Sequence, residues 1–437
     1  MKPRQFLKWH LRLMLTLTAP AAVVAAPLAA AESNVTNAVH TLDSLVADAL
    51  EKNPELKFYE AEITAARVGR RSAGLLANPE LNGGVGIKSV KGGGFSDEGV
   101  AWSVSVLQPF EWPGRLGLRK AIANRDIELA QLGYERFKVA LGARVRTLGY
   151  RLWAAQEKAA AANEVAGRFR ALREVLVQRD PAGLTPLLET RVIEATELNA
   201  QRKASDALLA TYAALLELNH LRGARPDSGL SVAQSQFAFG PLEEKTVLLE
   251  LARTNNFELK ARAVELAQQG FRVDLAKNER YPALSLGPTI SEERAGDRER
   301  IIGLGVSLPL PLWNRNSGNI EAAAARRMQA EVSLSRAERE LQREVSEAAL
   351  TYETRLREMG NWRPDSLQHF KEAAELADRH YRLGAVPIST YVELQKQYLE
   401  AVEGLLDTRK DALEAAARLE LLVGLPPLAR SVPEEKP

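Results

Sequence analysis

Residues 381–400, YRLGAVPISTYVELQKQYLE, decide the fold of this chain. The pattern predicts a helix that ends near Gly384, a turn marked by Pro387, and a second helix that leaves the turn. The outgoing helix carries apolar or aromatic residues at alternating steps of three and four, which is the seam of a coiled coil. These residues are Tyr391, Leu394, Tyr398, Ala401 and Leu405. The stretch is therefore predicted to be the tip of a long helical hairpin.

The chain contains this tip twice, because its two halves match at an offset of 201 to 203 residues. Gly183 and Pro186 correspond to Gly384 and Pro387. The other matching positions, in order, are Asn53 with Asn256, Pro79 with Pro282, Trp112 with Trp313, Gly117 with Gly318, and Gly223 with Gly424. The repeat is far longer than that of a solenoid, so each half is predicted to be a substantial unit. Each unit reads helix, strand, loop, strand, long helix, tip, long helix.

The duplication sets the predicted domain boundaries. Residues 1–31 read as a secretory signal peptide, with a basic start, an apolar middle and small residues before Glu32. An uncleaved membrane anchor is the alternative. The first repeat is predicted at residues 32–226, with strands near 81–87 and 100–107 and a tip near 180–188. A linker at 227–243 leads to the second repeat at 244–426, with strands near 284–290 and 301–308 and a tip near 381–389. Residues 427–437 are predicted to be a flexible C-terminal tail.

The four strands are candidates for lipid-facing β-strands. In residues 100–107, valine and tryptophan alternate with alanine and serine, which is the apolar-out, small-or-polar-in pattern of a barrel strand. The glycine-rich segment 88–99 and the charged segment 291–300 are predicted to be loops between the strands. The predicted membrane-interface aromatics are Trp102, Phe110, Trp112, Tyr281 and Trp313. A small soluble sheet with an aromatic core is the alternative.

The long helices and the small number of strands restrict the architecture. Residues 319–358 contain no proline, and a helix of that length is about 60 Å long, so it must pack lengthwise against others. Four strands cannot close a barrel, and open sheet edges are not tolerated in lipid. Two copies would give eight strands with a filled interior, whereas three would give twelve and an open lumen. An open duct therefore favours at least a trimer.

Composition and motifs argue against several other classes of protein. The chain has no cysteine, which excludes disulfides, thiolate metal sites and a lipidated N-terminal cysteine. Its histidines are scattered without metal-ligand spacing, and no nucleophile, phosphate-loop or dinucleotide motif lies in a convincing context. The formal net charge is +2, and no basic patch is interleaved with stacking aromatics. We therefore expect no catalytic residue, cofactor, metal site or nucleic-acid partner.

The whole pattern resembles the TolC family of outer-membrane efflux ducts. The tips GLTP and YRLGAVPISTYVELQ carry this resemblance, together with the duplicated strand–loop–strand unit between long helices. The segments ANPEL, LQPFEWPGR and WRPDSLQHFKEAAELADRHYRLGAV are most similar to the heavy-metal (cobalt–zinc–cadmium) branch. The resemblance implies a mainly α fold with a transmembrane β part. It implies a homotrimer in which a twelve-stranded β-barrel in outer-membrane lipid stands above a periplasmic α-helical coiled-coil barrel. It also implies a periplasmic adaptor and an inner-membrane pump of the RND type as partners.

The resemblance also implies roles for residues at the tips. Those that would dock the adaptor are Gly183, Leu184, Thr185, Pro186, Leu383, Gly384, Ala385 and Pro387. Those that would form the periplasmic gate and its acidic ring are Glu189, Arg379, Tyr381, Arg382 and Glu393. A second acidic position of the family's ring is Thr390 here. From the residues alone, the two glutamates also suit solvated positions stabilised by helix dipoles.

Other functions remain open at this point. The same fold would serve multidrug efflux or type I protein secretion. Outside transport, a periplasmic coiled-coil scaffold or adaptor is the alternative. Adaptors flank their hairpin with compact β domains, whereas this chain flanks two hairpins with pairs of strands. A passive export duct is therefore the leading hypothesis.

Overall fold

The computed structural model describes residues 39–92, 95–179, 187–233, 236–363, 365–424 and 428–432. The predicted signal peptide, residues 1–31, lies outside them, as do residues 180–186 at the first tip. The described residues are mainly helical, with one four-stranded sheet and two small two-stranded sheets.

The elements follow one another in two similar successions. The first comprises β1 (Val39–His40), α1 (Leu42–Lys52), α2 (Pro54–Ala73), β2 (Glu80–Gly92), β3 (Phe95–Phe110), α3 (Arg115–Arg179) and α4 (Leu187–Leu221). The second comprises β4 (Ser231–Val232), β5 (Gln236–Phe239), α5 (Lys245–Asn255), α6 (Phe257–Asn278), β6 (Leu284–Ala295), β7 (Asp297–Ser307), α7 (Ser317–Gly360), α8 (Ser366–Arg382), α9 (Ile388–Val423) and β8 (Ala429–Val432).

Two buried asparagines at equivalent positions show the duplication at the level of single atoms. Asn53 Oδ1 accepts a hydrogen bond from the backbone N–H of Glu55 at 2.8 Å, and its Nδ2 donates to the Leu221 carbonyl at 2.8 Å. Asn256 makes two corresponding bonds: its Oδ1 accepts from the backbone N–H one position further along, that of Leu259, at 3.0 Å, and its Nδ2 donates to the Leu422 carbonyl at 3.0 Å. Each asparagine caps one helix and holds the end of another. The single helix predicted at the start of the first repeat is consequently two helices, α1 and α2, divided at Asn53.

Helix α1 is also tied to the end of α4 by charge. Asp48 lies between Lys52, at 2.6 Å, and Arg222, at 2.5 Å. Burial opposes ionisation of this carboxyl group, but hydrogen bonds from the two basic side chains outweigh it and hold the pKa of Asp48 below its usual range. Ionised Asp48 therefore stabilises this corner of the fold.

The strands extend further than the sequence predicted. The four-stranded sheet has the order β2-β3-β6-β7, with antiparallel neighbours. The β2–β3 ladder continues to Gly92 opposite Phe95, and the β6–β7 ladder continues to Ala295 opposite Asp297. The described parts of segments 88–99 and 291–300, which were predicted as loops, thus belong to the outer ends of two hairpins, and residues 93 and 94 lie outside the described residues. Their polar composition indicates exposure to water, but a ladder needs only backbone pairing, which any residue except proline supplies.

The predicted linker and tail also differ from expectation, because short strands from both pair with other segments. Strand β4 pairs with β1, and β5 pairs with β8, so residues 429–432 of the predicted tail lie in a sheet. The linker is anchored on the long helices. The Phe237 ring lies 5.5 Å from that of Tyr150, and the Tyr352 hydroxyl donates to the Gly240 carbonyl at 2.8 Å.

The long helices pack lengthwise, as predicted. Helix α3 has 65 residues, about 98 Å at 1.5 Å per residue. In the second repeat the equivalent path is divided into α7 and α8 around residues 361–365. Of the predicted seam, Tyr391, Tyr398 and Ala401 are buried, and the two leucines are partly buried. The seam thus forms part of the core between α9 and its neighbours α3 and α8.

Candidate functional site: the second tip and the sheet

The second tip is a helix end that requires glycine. Helix α8 ends at Arg382, and Gly384 follows with a φ of 72°. The N–H of Ala385 donates to the His380 carbonyl at 2.9 Å, and the N–H of Gly384 donates to the Tyr381 carbonyl at 2.9 Å. This is the helix ending in which a left-handed residue satisfies the last carbonyls, and glycine adopts it without steric cost.

The turn presents the predicted docking residues to its surroundings. Leu383 is 80% exposed, and Gly384, Ala385 and Pro387 are exposed as well. An added Cβ at Gly384 would meet no atom within 4 Å. The four docking residues predicted on the first tip, Gly183, Leu184, Thr185 and Pro186, lie outside the described residues.

Glu189 and Tyr381 lie beside different tips, and the charge of the first acts on the hydroxyl of the second. Glu189 lies in the first turn of α4, directly after the first tip, and is half-buried. Burial raises the pKa of Tyr381, and the negative charge of Glu189 raises it further. Two predicted gate residues, one from each repeat, thus influence each other electrostatically within one chain.

A stack of aromatic rings extends from Tyr381 into the helices. The rings of Tyr381 and Tyr391 are stacked, with centroids 5.3 Å apart and planes 15° apart, and Tyr391 also contacts Phe169 of α3 at 5.2 Å. Tyr391 is fully buried. Its hydroxyl makes no well-aligned hydrogen bond, yet burial and the nearby Asp378 carboxylate raise its pKa. The aromatic stack therefore joins the second tip to α3.

Arg382 forms an ion pair on its own helix. Its Nε and Nη2 lie 3.0 and 3.3 Å from the two carboxylate oxygens of Asp378, and this hydrogen bonding raises the pKa of Arg382. The other predicted gate residues are exposed: Arg379 lies on α8, and Glu393 on α9 accepts a hydrogen bond from Gln397 at 3.0 Å. Within one chain, the structure thus groups Tyr381 with Glu189 and gives Arg382 and Glu393 partners on their own helices.

A buried glutamine below the tip was missed by sequence reasoning. Gln395 is fully buried and donates to the Ala374 carbonyl of α8 at 2.7 Å. It accepts a hydrogen bond from Arg168 of α3 at 3.2 Å, and that guanidinium also contacts Glu164 at 2.6 Å and Glu375 at 3.6 Å. Gln395 thereby connects α3, α8 and α9. Its sequence signal is weak but real, because a glutamine lies between Tyr391 and Tyr398 on an apolar seam.

The sheet has one apolar face, which is largely exposed in the single chain. Leu81, Val85, Ile87 and their cross-strand neighbours line it, and Leu304 is 86% exposed. The opposite face carries small or polar residues, among them Gly86, Ser103 and Thr289. In the described residues β2 and β7 are the edge strands of this sheet. The alternation is that of strands with lipid on one side and a lumen on the other.

The predicted interface aromatics fall into two groups. Trp112 stacks on Tyr281 at 4.8 Å, and Phe110 and Trp313 lie at the same, helix-side end of the strands, where Trp313 is 93% exposed. Trp102 pairs with Val85 and Glu292, far from that end. Eight residues of β3 separate Trp102 from Phe110, about 27 Å at 3.4 Å per residue. The groups therefore lie at the two ends of the apolar face.

In the part of the chain that the structure describes, no group of three or more histidine, aspartate or glutamate side chains is placed to hold a metal ion. None of the helices within the described ranges combines the length and apolar character that spanning a membrane requires.

The described features agree with one family model over most of the chain. Residues 45–224 and 248–425 match the model described as outer membrane efflux protein. The chain belongs to this family. The two matched segments coincide with the two repeats, and the unmatched residues between them contain β4 and β5.

Individual relatives of this efflux protein were found among known proteins and solved structures. The cobalt-zinc-cadmium resistance protein CzcC of Cupriavidus metallidurans is 25% identical over 288 residues, which are 65% of this chain and 66%, just under two thirds, of CzcC. The pyoverdine export outer membrane protein OpmQ of Pseudomonas aeruginosa is 25% identical over 88% of this chain and 85% of OpmQ. The crystal structure of the CmeC outer membrane channel of Campylobacter jejuni has a TM-score of 0.69 at 17% identity, over 88% of this chain and 85% of CmeC.

These comparisons confirm the predicted family, the outer-membrane location and the efflux function. The fold class is confirmed too, because the chain has the fold of the TolC-like trimeric channels, with a helical barrel and a β-barrel part. The family is one of transport channels.

Proposed function

We propose that three copies of this efflux protein form a passive duct through the outer membrane, with twelve strands pooled in one barrel. The observation that carries the proposal is the open four-stranded sheet, whose exposed apolar face is joined directly to helices far longer than a compact domain needs. Copies placed edge to edge would pair β7 of one with β2 of the next and remove both open edges. The helices would continue the tube on the periplasmic side.

The test measures the location and oligomeric state of the protein in cells. Cell fractionation gives the location, and heat-modifiability on gels and crosslinking give the oligomeric state. We expect a heat-modifiable trimer in the outer membrane. Recovery as a soluble periplasmic monomer would contradict the duct and favour the scaffold alternative.

We propose that the duct works with a periplasmic adaptor and an inner-membrane pump of the RND type, and that the tips dock the adaptor. The exposed, sterically open turn at Gly384 supports this role, because a partner can approach its backbone closely. Gly384→Asp is expected to abolish export while the trimer still forms. Gly69→Asp, at another open position but on α2, is the matched control. Export by the tip variant at the wild-type rate would refute docking at this turn.

We propose heavy-metal cations as the exported substrate. The resemblance to CzcC supports this, and so does the charge on the small-residue face of the sheet. Towards the hairpin ends this face carries one basic residue, Lys88, against the four acidic residues Asp97, Glu293, Asp297 and Glu299. A lumen lined in this way attracts cations. Export of drugs, or of a compound such as the pyoverdine in the name of OpmQ, is the alternative. Metal tolerance of cells with and without the protein separates the two.

We propose that Glu189, Arg379, Tyr381, Arg382 and Glu393 form the periplasmic gate, with Glu393 as its acidic ring. The exposure of Glu393 supports this, because an exposed carboxylate repeated by symmetry creates a local negative potential. In planar bilayers, Glu393→Gln is expected to lower the preference of the open pore for cations by about two- to fivefold. Glu400→Gln, at another exposed glutamate of α9, is the control. Equal selectivity of both variants and the wild type would dismiss the ring.

A further inference from the structure

The outer ends of the two hairpins separate charge between the two faces of the sheet. Strand register assigns residues 88–92, 95–99, 291–295 and 297–300 to one face or the other. The face continuous with the apolar band carries four basic and two acidic residues: Lys91, Arg294, Arg298 and Arg300, with Glu98 and Glu292. The opposite face carries one basic and four acidic residues. The lipid-side face is therefore net positive where the lumen-side face is net negative.

Three arginines of the lipid-side face are organised around one carboxylate. Glu292 is only 5% exposed. It lies 2.6 Å from Arg298, 3.2 Å from Arg300 and 3.6 Å from Arg294. One carboxylate neutralises one of the three charges and occupies few of the guanidinium donors. The three arginine side chains remain more than half exposed, so the cluster keeps excess charge and unused donors.

The cluster lies where the apolar band ends. Along β6 and β7 it follows Ile290 and Ile302, which pair with each other, and Glu292 is the cross-strand neighbour of Trp102. The helices leave the sheet at its opposite end, so the hairpin ends point away from the periplasm. In an outer-membrane protein this places the arginines level with the headgroups of the outer leaflet.

We propose that Arg294, Arg298 and Arg300 bind the phosphate groups of an anionic glycolipid of the outer leaflet, whose acyl chains lie on the apolar band below. Arginine suits this ligand because its planar, permanently charged fork matches phosphate oxygens. Glu292 holds the three side chains together and directs their free donors outward. The proposal goes beyond export, since it concerns the lipid side of the barrel and not the cargo.

The test uses the full-length trimer, titrated with lipid A carrying two phosphates and with the same lipid after dephosphorylation, and native mass spectrometry counts the bound lipid. Arg294→Gln is the variant of choice, because this arginine lies furthest from Glu292 and leaves it two partners. We expect about fivefold weaker binding of the phosphorylated lipid, the effect of one cation near an anionic surface. Lys88→Gln is the matched control, because it also removes one positive charge near the hairpin ends, but from the opposite face of the sheet. This variant is expected to bind the phosphorylated lipid with the affinity of the wild type.

Several other results would overturn the proposal or change the ligand assigned to the cluster. Equal binding of the two lipids, or an equal loss in both variants, would overturn the proposal. Complete displacement of the lipid by inorganic phosphate at the same concentration would assign the cluster to free phosphate instead. Export is measured in parallel and is expected to be unchanged in Arg294→Gln, so a failed duct and a failed lipid site are told apart.

Discussion

Removal of the buried Gln395 side chain should loosen α8 from the helices beside it. Gln395→Ala deletes the hydrogen bond to the Ala374 carbonyl and the one from Arg168. Each bond is worth about 1 kcal/mol net, and the cavity left by the fully buried side chain adds a similar amount, so the cost is about 2–3 kcal/mol. The cost stays moderate because Arg168 retains its two carboxylate partners.

The effect should be local, and hydrogen exchange in the intact trimer measures it. A loss of about 2–3 kcal/mol in local stability corresponds to about 30- to 150-fold faster exchange of the α8 amides that open locally. Gln397→Ala is the matched control, because Gln397 is exposed on the same helix and bonds to Glu393. Its exchange rates should change by less than about threefold. Similar rates in both variants would refute the conclusion that Gln395 fastens α8.

Two further predictions follow from backbone geometry and from charge. Gly384→Ala should destabilise the fold by about 1 kcal/mol, because alanine is strained in the left-handed backbone conformation that both glycines adopt. Gly424→Ala should cost about 3 kcal/mol, because its added Cβ would also lie 2.6 Å from Asn255 Cβ. Equal melting temperatures of the two variants would contradict this prediction. The stabilisation from Asp48 should be complete above about pH 4 and lost on further acidification, since its folded pKa is lowered. Chemical denaturation at pH 7 and pH 3 measures the free energy of unfolding of the wild type and of Asp48→Asn. The difference between the two proteins should be smaller at pH 3, and an equal difference at both pH values would show that the ion pairs contribute nothing to stability.

The features predictable from sequence are those that one segment specifies by itself. Gly223, Gly384 and Gly424 were matched as landmarks of the duplication, and all three have positive φ at helix ends. Such positions are readable because glycine there satisfies a local backbone requirement. The seam at Tyr391 was readable for a similar reason, since helical periodicity is a local property.

Features that depend on pairing between distant segments were not predictable. The charged and small residues of the hairpin ends predict loops, whereas the ladder is set by register with the partner strand. The position of Glu292 among three arginines follows from that register, and so does the opposite charge of the two faces. Gln395 shows the same limit, since its partners Arg168 and Ala374 come from two other helices.

The open sheet has a consequence for how the protein is made. Ile302, Leu304 and Val306 form an exposed apolar row on an edge strand, and an edge of this kind pairs readily with any other extended chain. A newly exported chain is therefore prone to aggregation until neighbouring copies cover the edge strand and lipid covers the apolar row. Biogenesis must couple oligomerisation to membrane entry or shield the sheet beforehand, and the lifetime of the lone subunit limits how much protein a cell can export without loss to aggregation.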